Sequence, residues 1–225
     1  MQRCFDILFA GLAVIFLSPL LVPIALLLRF TGEGEIFFLQ ERIGKGGRPF
    51  NLFKFATMLK NSPNIATGTV TVKGDTRILP VGKFLRKTKI NELPQLFNIL
   101  LGDMSLVGPR PLTKQTFSAY APETQAVVLR VRPGLSGIGS VIFRDEENML
   151  HGQHDALEYY HHVVAPYKGA VERWYVENNR FSNYFAIILA TVWVVIHPRS
   201  TLAWRLFPTL PPPPRELQAT LSHPG

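Results

Sequence analysis

The sequence predicts an α+β protein: an N-terminal re-entrant membrane helix-hairpin joined to a small helix-rich cytoplasmic domain, which has a short β-hairpin and interfacial helices. Three observations carry this prediction. The chain is free of charge from Ile7 to Leu28, but a Ser18-Pro19 pair interrupts that run. Two β-rich runs between residues 36 and 58 flank a glycine cluster. Leu93, Leu96, Phe97, Leu100 and Leu101 then recur at the spacing of one helix face.

The N-terminal run is long enough to span a bilayer, but its interior reads FLSPLLVP. Pro19 lacks an amide hydrogen and its ring crowds the carbonyl of Ile15, so a bend or break is expected near Ser18. The Ser18 hydroxyl is placed to satisfy the freed carbonyl. The piece before the break reaches only about 18 Å at 1.5 Å per residue, against roughly 30 Å of bilayer core. Cations lie on both sides, Arg3 before and Arg29, Arg42, Lys45 and Arg48 after. The positive-inside rule therefore gives no reason to put the two ends on opposite faces. A hairpin entering and leaving on the cytoplasmic face is the reading, with a kinked spanning helix as its alternative.

Composition agrees with a membrane setting. Charged residues make up 18% of the chain, below the roughly 25% of soluble domains, and the net charge is +8. That excess suits anionic lipid, phosphate-bearing substrates or nucleic acid alike. No nucleic-acid recognition motif accompanies it. The single cysteine, Cys4, excludes an intrachain disulfide framework and reads as an inert thiol.

After the hairpin, IFFLQERIGKGGRPFNLFKFATM reads as two strands around a turn. GKGG lacks the spacing and the Ser/Thr of a P-loop. Residues 61–82 read as a polar, mobile loop. In the helix at 93–101, Asn91 is the expected N-cap, Glu92 the first helical residue and Gly102 the stop. Arg86, Lys87 and Lys89 make that start electropositive. Pro109 and Pro111 hold Arg110 extended, which presents a rigid guanidinium suited to phosphate. The apolar stretch Tyr184–Ile196 is too short to span and reads as an interfacial or buried helix, with Trp193 and Trp204 at headgroup level. PTLPPPP at 208–214 marks a proline-rich, disordered tail. The expected division is 1–30 re-entrant membrane hairpin, 31–197 cytoplasmic-face domain with interfacial helices and 198–225 proline-rich tail.

The Ser18-Pro19 pair, FKFATM (53–58), LRKTKINELPQLFNILLGDMSLVGPRP (85–111), RVRPGLSG (130–137) and RWYVENN (173–179) together resemble the bacterial sugar transferases, the monotopic phosphoglycosyl transferases. The resemblance covers most of the chain, and the 27-residue central block is its most specific part. It implies transfer of a sugar 1-phosphate from a UDP-sugar to undecaprenyl (polyprenyl) phosphate, with Mg²⁺ and release of UMP, at the cytoplasmic face of the bacterial inner membrane. That reaction would start a surface glycan such as an exopolysaccharide, capsule or O-antigen. It implies Glu92 as the metal-holding carboxylate and Lys54, Arg86 and Arg110 as phosphate ligands; Arg132 is a weaker candidate, because its RPG turn suits a purely structural role. The implied partners are the UDP-sugar, undecaprenyl phosphate and membrane lipid, with no nucleic acid; homo-oligomerisation is left open.

Two departures stand out. Well-studied members carry an Asp-Glu dyad whose aspartate attacks the donor phosphorus, and here that position is Asn91, an amide unfit for the role. The nucleophile is then another carboxylate (Glu92, or Asp145 in the RDEE cluster at 144–147), or the acceptor phosphate attacks directly, or turnover is lost. The last case would make the chain a silent paralogue that binds polyprenyl phosphate or scaffolds its assembly. In FKFATM, Ala56 stands where many members have a further base. The segment from about 148 to 167 holds HGQH and the pair His161 and His162, but no acid or cysteine completes a transition-metal set.

Overall fold

The computed structural model describes residues 2–62, 75–144, 149, 156–197 and 200–223. The chain divides into two compact units, Met1–Glu41 with Phe50–Gly102 and Arg42–Pro49 with Asp103–Gly225.

In the first unit, helix α1 runs from Gln2 to Phe30 as one element, through Pro19 and Pro23. By length and composition it is able to cross a membrane. The break expected at Ser18 does not interrupt the helix. The chemistry expected there is nevertheless present, because Ser18 Oγ donates to Ile15 O at 2.7 Å. That is the carbonyl Pro19 leaves without its amide donor. Strands β1 (Phe37–Ile43) and β2 (Pro49–Phe55) pair as the hairpin expected from the glycine cluster, and Gly46 and Gly47 supply its positive-φ turn. Met58 bridges Ile78, and Asp75 pairs with Arg77 in a buried ion pair. These contacts close the ends of the segment read as a mobile loop; its middle, 63–74, lies outside the described residues.

Helix α2 (Pro80–Lys87) opens on a proline suited to a first turn. A 3₁₀ turn follows at Ile90–Glu92, then helix α3 (Gln95–Leu101), which ends at Gly102 with φ 99°. Gly102 N donates to Asn98 O and Ile99 O, the cap expected there. Leu21 and Leu28 of α1 bury against Phe55 and Leu85, with Ile36, Val81, Ile90 and Leu93 around them. At the other end of α1, Arg3 donates to Ile99 O at 2.5 Å and Leu100 O at 3.1 Å. The buried face of α3 is not the leucine stripe. It consists of Gln95, Leu96, Asn98 and Ile99, whereas Leu101 is 69% exposed.

In the second unit, β3 (Ser105–Val107) pairs in parallel with β4 (Gly134–Ser136), after the short helices α4 (Lys114–Phe117) and α5 (Pro122–Val128). Helix α6 (Ile138–Ile142), α7 (Ala156–Tyr159) with a π turn at Tyr160–Val164, and α8 (Ala165–Glu177) follow. Helix α8 packs on α5 and α6. Helix α9 (Phe181–Ile196) buries Tyr184, Ile187, Ala190 and Val194 and exposes Leu189, Val192, Trp193 and Ile196, so it is apolar on its buried and its exposed face alike.

Residues 200–223 depart from the disordered tail read from their prolines. They form α10 (Leu202–Leu206) and α11 (Arg215–Gln218) and bury Trp204, Phe207, Leu210, Leu217 and Leu221. Phe207 stacks edge-on against Trp174, Tyr167 Oη donates to Pro211 O at 2.7 Å, and Trp204 Nε1 donates to Leu221 O. Pro208 follows α10 and Pro214 precedes α11, so the prolines bound these short helices without preventing their aromatic neighbours from packing. Trp204 is therefore a core residue rather than a headgroup anchor.

Candidate functional site

Lys54 lies on β2, two residues after the buried Leu52 and on the same face of the strand. Glu92 closes the 3₁₀ turn, which begins after Lys89 takes a left-handed backbone (φ 59°, ψ 9°). Lys54 Nζ approaches Glu92 Oε1 to 3.6 Å, and about a fifth of each side chain is exposed (18% and 20%). At that separation the attraction is about 1 kcal/mol with the screening of water and about 5 kcal/mol at an effective dielectric of 20. The pair is thus firm enough to hold its shape and open enough to admit an anion to Lys54 or a cation to Glu92. Arg86, in the last turn of α2, reaches Met58 Sδ at 3.7 Å, a weak contact that leaves most of its donors for other partners.

Asn91 is not the cap of α3. The left-handed Lys89 starts the chain turning early, so Asn91 falls inside the 3₁₀ turn, and Pro94 stands at the N-cap of α3 without a side-chain bond. Asn91 is 6% exposed, and its Oδ1 has no hydrogen-bond partner among the described residues. Glu92 is consequently the last residue of the short turn, not the first of a helix.

Arg110 belongs to the second unit, between two prolines. Its backbone N–H donates to Glu172 Oε1 at 3.2 Å. Its neighbours are held as well, with Gly134 N donating to Pro109 O and Tyr175 Oη to Val107 O. Strand β4 and helix α8 therefore both fix the segment that presents Arg110. Arg132 is half-buried, and the next residue, Pro133, accepts from Ser105 N, so its turn keeps β3 and β4 in register. Asp145 and HGQH lie outside the described residues. His161 and His162 sit in the π turn, and no group of three or more His, Cys, Asp or Glu side chains forms a metal cage among the described residues.

Glu172 and Asn98 are among the buried polar residues that escaped the sequence reading. Glu172, 1% exposed on α8, accepts from Arg110. Asn98, fully buried on α3, bonds to β2. The available signal was positional: each sits on the buried face of its helix, where an acid or an amide requires a bonding partner.

A sequence profile described as bacterial sugar transferase matches residues 1–198. The chain is 42% identical over 143 residues to a UDP-N-acetylgalactosamine-undecaprenyl-phosphate N-acetylgalactosaminephosphotransferase of Aeromonas hydrophila, covering 63% of this chain and 34% of that protein. It is 37% identical over 163 residues to a UDP-glucose:undecaprenyl-phosphate glucose-1-phosphate transferase of Klebsiella pneumoniae, covering 70% and 34%. To the exopolysaccharide production protein ExoY of Sinorhizobium fredii it is 37% identical over 159 residues, covering 64% and 70%. The aligned part is thus about a third of the length of the first two relatives. With a profile match over all but the last 27 of its 225 residues, the chain belongs to the bacterial sugar transferase family.

Proposed function

We propose that the chain is a phosphoglycosyl transferase. It moves a sugar 1-phosphate from a UDP-sugar to undecaprenyl phosphate at the cytoplasmic face of the bacterial inner membrane and releases UMP, initiating a surface polysaccharide or glycoconjugate. The observation that carries this reading is the Lys54–Glu92 pair, a cation and a carboxylate brought together from segments 38 residues apart at a half-open position. Donor and acceptor are both phosphate anions, so fixed positive charge is the main requirement. Lys54, Arg86, Arg110 and Arg132 are the proposed phosphate contacts.

Mg²⁺ fits these residues. It is usually held by one or two carboxylates and the substrate's own phosphates rather than by an all-protein cage. A partly exposed Glu92, without a three-acid cluster among the described residues, matches that habit. When bound, the ion would neutralise charge building on the donor phosphates. Asn91 is neutral and buried, so no nucleophile is assigned to it. In the direct route, an acceptor phosphate oxygen attacks the sugar-bearing phosphorus. The bond from that phosphorus to the bridging oxygen breaks, and UMP leaves with that oxygen.

The re-entrant course of α1 is part of the proposal. A straight helix would separate Arg3 from Leu28 by about 37 Å at 1.5 Å per residue. Yet Arg3 bonds to the end of α3, while Leu28 packs with Phe55 and Leu85 in the same small unit. A bend at Pro19 reconciles the two contacts.

The test is UMP release by detergent-purified protein with a panel of UDP-sugars, with and without undecaprenyl phosphate. Release only when the acceptor is present is the expected result. A stoichiometric burst without acceptor would overturn direct attack and move the nucleophile to Glu92 or Asp145. Silence across the panel, with the lipid phosphate still bound, would replace the transferase by the scaffold reading.

A further inference from the structure

Among the described residues, the second strand of the hairpin has β1 on one edge and no third strand on the other. At that other edge stands the side chain of Asn98. Its Oδ1 accepts from Phe53 N at 2.9 Å, and its Nδ2 donates to Asn51 O at 2.8 Å. These are the two backbone groups that one residue of a parallel neighbour would engage opposite Leu52. The primary amide therefore stands in for one residue of a missing strand. It does so from a helix that starts three residues after Glu92 completes its turn.

We infer that Asn98 is the positioning residue of the Lys54–Glu92 pair: its amide locks the register of β2 against α3 and so fixes the face from which Lys54 meets Glu92. Strand side chains alternate faces, so a slip of β2 by one residue would carry Lys54 to the far side of the sheet. A two-stranded ribbon is marginal alone and holds register weakly. Beyond the turn, the amide supplies two further bonds on the side facing α3. Asn98 has no exposed surface and touches neither phosphate nor metal in the reading above; it acts through Lys54. The inference rests on the transferase reading for its catalytic consequence, but not for its geometry.

The experiment is a double-mutant cycle on kcat/KM for UMP release by the full-length protein in detergent, using Asn98→Ala, Lys54→Met and both together. Misplacing a reacting group by about 1 Å costs on the order of 100-fold, and that loss is expected for Asn98→Ala alone. In the Lys54→Met background the same change should cost no more than about 3-fold, because the group it positions is already gone. Equal losses in both backgrounds would show a general packing role and overturn the inference. If Asn98→Ala does not fold, Asn98→Asp replaces it in the same cycle, since it keeps the acceptor for Phe53 N and turns the donor to Asn51 O into an acceptor that repels it. The same collapse of its effect is expected.

A second readout needs no substrate. The rate at which an amine-reactive ester acylates Lys54, relative to exposed Lys60, is mapped by mass spectrometry. In the Asn98 variant, release of Lys54 from Glu92 should raise that ratio several-fold, and an unchanged ratio would overturn the inference. Were the wild type to release no UMP from any donor, the transferase reading would fail while this second readout still decided the role of Asn98.

Discussion

Gly139 offers the most direct test of how Arg110 is held. It is the second residue of α6 and faces Glu172 on α8. A Cβ built at position 139 would lie 2.3 Å from Glu172 Oε1 and 2.7 Å from Cδ, where ordinary contact begins near 3.4 Å. In Gly139→Ala the carboxylate must therefore retreat by about 1 Å, with only 1% of its residue open to solvent. Overpacking of this kind costs about 1–3 kcal/mol. The displaced oxygen is also the acceptor of the Arg110 N–H, a bond to a charged group worth about 1.5–3 kcal/mol. A loss of about 3 kcal/mol follows, or roughly 6–12 °C in Tm for a chain of this size. The assay is thermal unfolding in detergent followed by tryptophan fluorescence, with Gly169→Ala as the control. There the nearest atoms are the side chains of Thr124 and Tyr120 at 3.1–3.5 Å, and the shift should stay under about 1 kcal/mol. A Gly139→Ala protein melting within about 2 °C of wild type would refute the packing argument.

Three further outcomes are expected. Glu92→Gln keeps the shape and removes the charge beside Lys54, so UMP release should fall by at least about 100-fold, and added Mg²⁺ should not restore it; near-normal turnover would overturn the site assignment. Phe207→Ala removes a ring that is 3% exposed and stacked on Trp174. It should cost about 3–5 kcal/mol in thermal or urea unfolding, whereas no change would restore the disordered-tail reading. Burial pushes the Tyr167 hydroxyl well above the usual 10.0. The folded chain therefore keeps a proton that the unfolded chain sheds above pH 10. Stability from this group is complete below that pH and declines by up to about 1.4 kcal/mol per pH unit above it. Urea unfolding across that range should show a shallower decline in Tyr167→Phe, and equal slopes in the two proteins would contradict the assignment.

The hairpin, the Gly102 stop and the Ser18 bond to Ile15 were legible because each depends on local chemistry: glycine turns, a left-handed cap, and a carbonyl that proline strips of its donor. The long apolar helix and the shorter apolar α9 were legible from length and composition. The leucine stripe of α3 misled for a specific reason. Apolar periodicity has no means of marking a buried amide, yet Asn98 is buried because strand-edge groups await it, and Leu101 is left outside. Asn91 fitted the profile of a cap, but the left-handed Lys89 one turn earlier decided where the chain began to coil. Proline content suggested a disordered tail, although Trp204 and Phe207 before those prolines, Leu210 among them and Leu217 after them are residues that pack. Glu172 was missed because nothing in its own segment reveals that a backbone N–H 62 residues away is its partner.

The parallel pairing of β3 with β4 sets an order of assembly during synthesis. Parallel neighbours cannot be joined by a tight turn, and here α4 and α5 must be made before residues 134–136 can find 105–107. The Arg110 segment then waits further, until Glu172 has left the ribosome. Lys54, Glu92 and Asn98 lie within the first 102 residues, among the segments of the earlier unit. A nascent chain can therefore complete the Lys54–Glu92 pair while the Arg110 segment is still unfinished. A polypeptide released early, before residue 172, would carry the Lys54–Glu92 pair complete, while Arg110 had no acid to fix its backbone. Such fragments, made as a length series, would test whether the cation site proposed at Glu92 forms before Arg110 is fixed, without changing a single side chain.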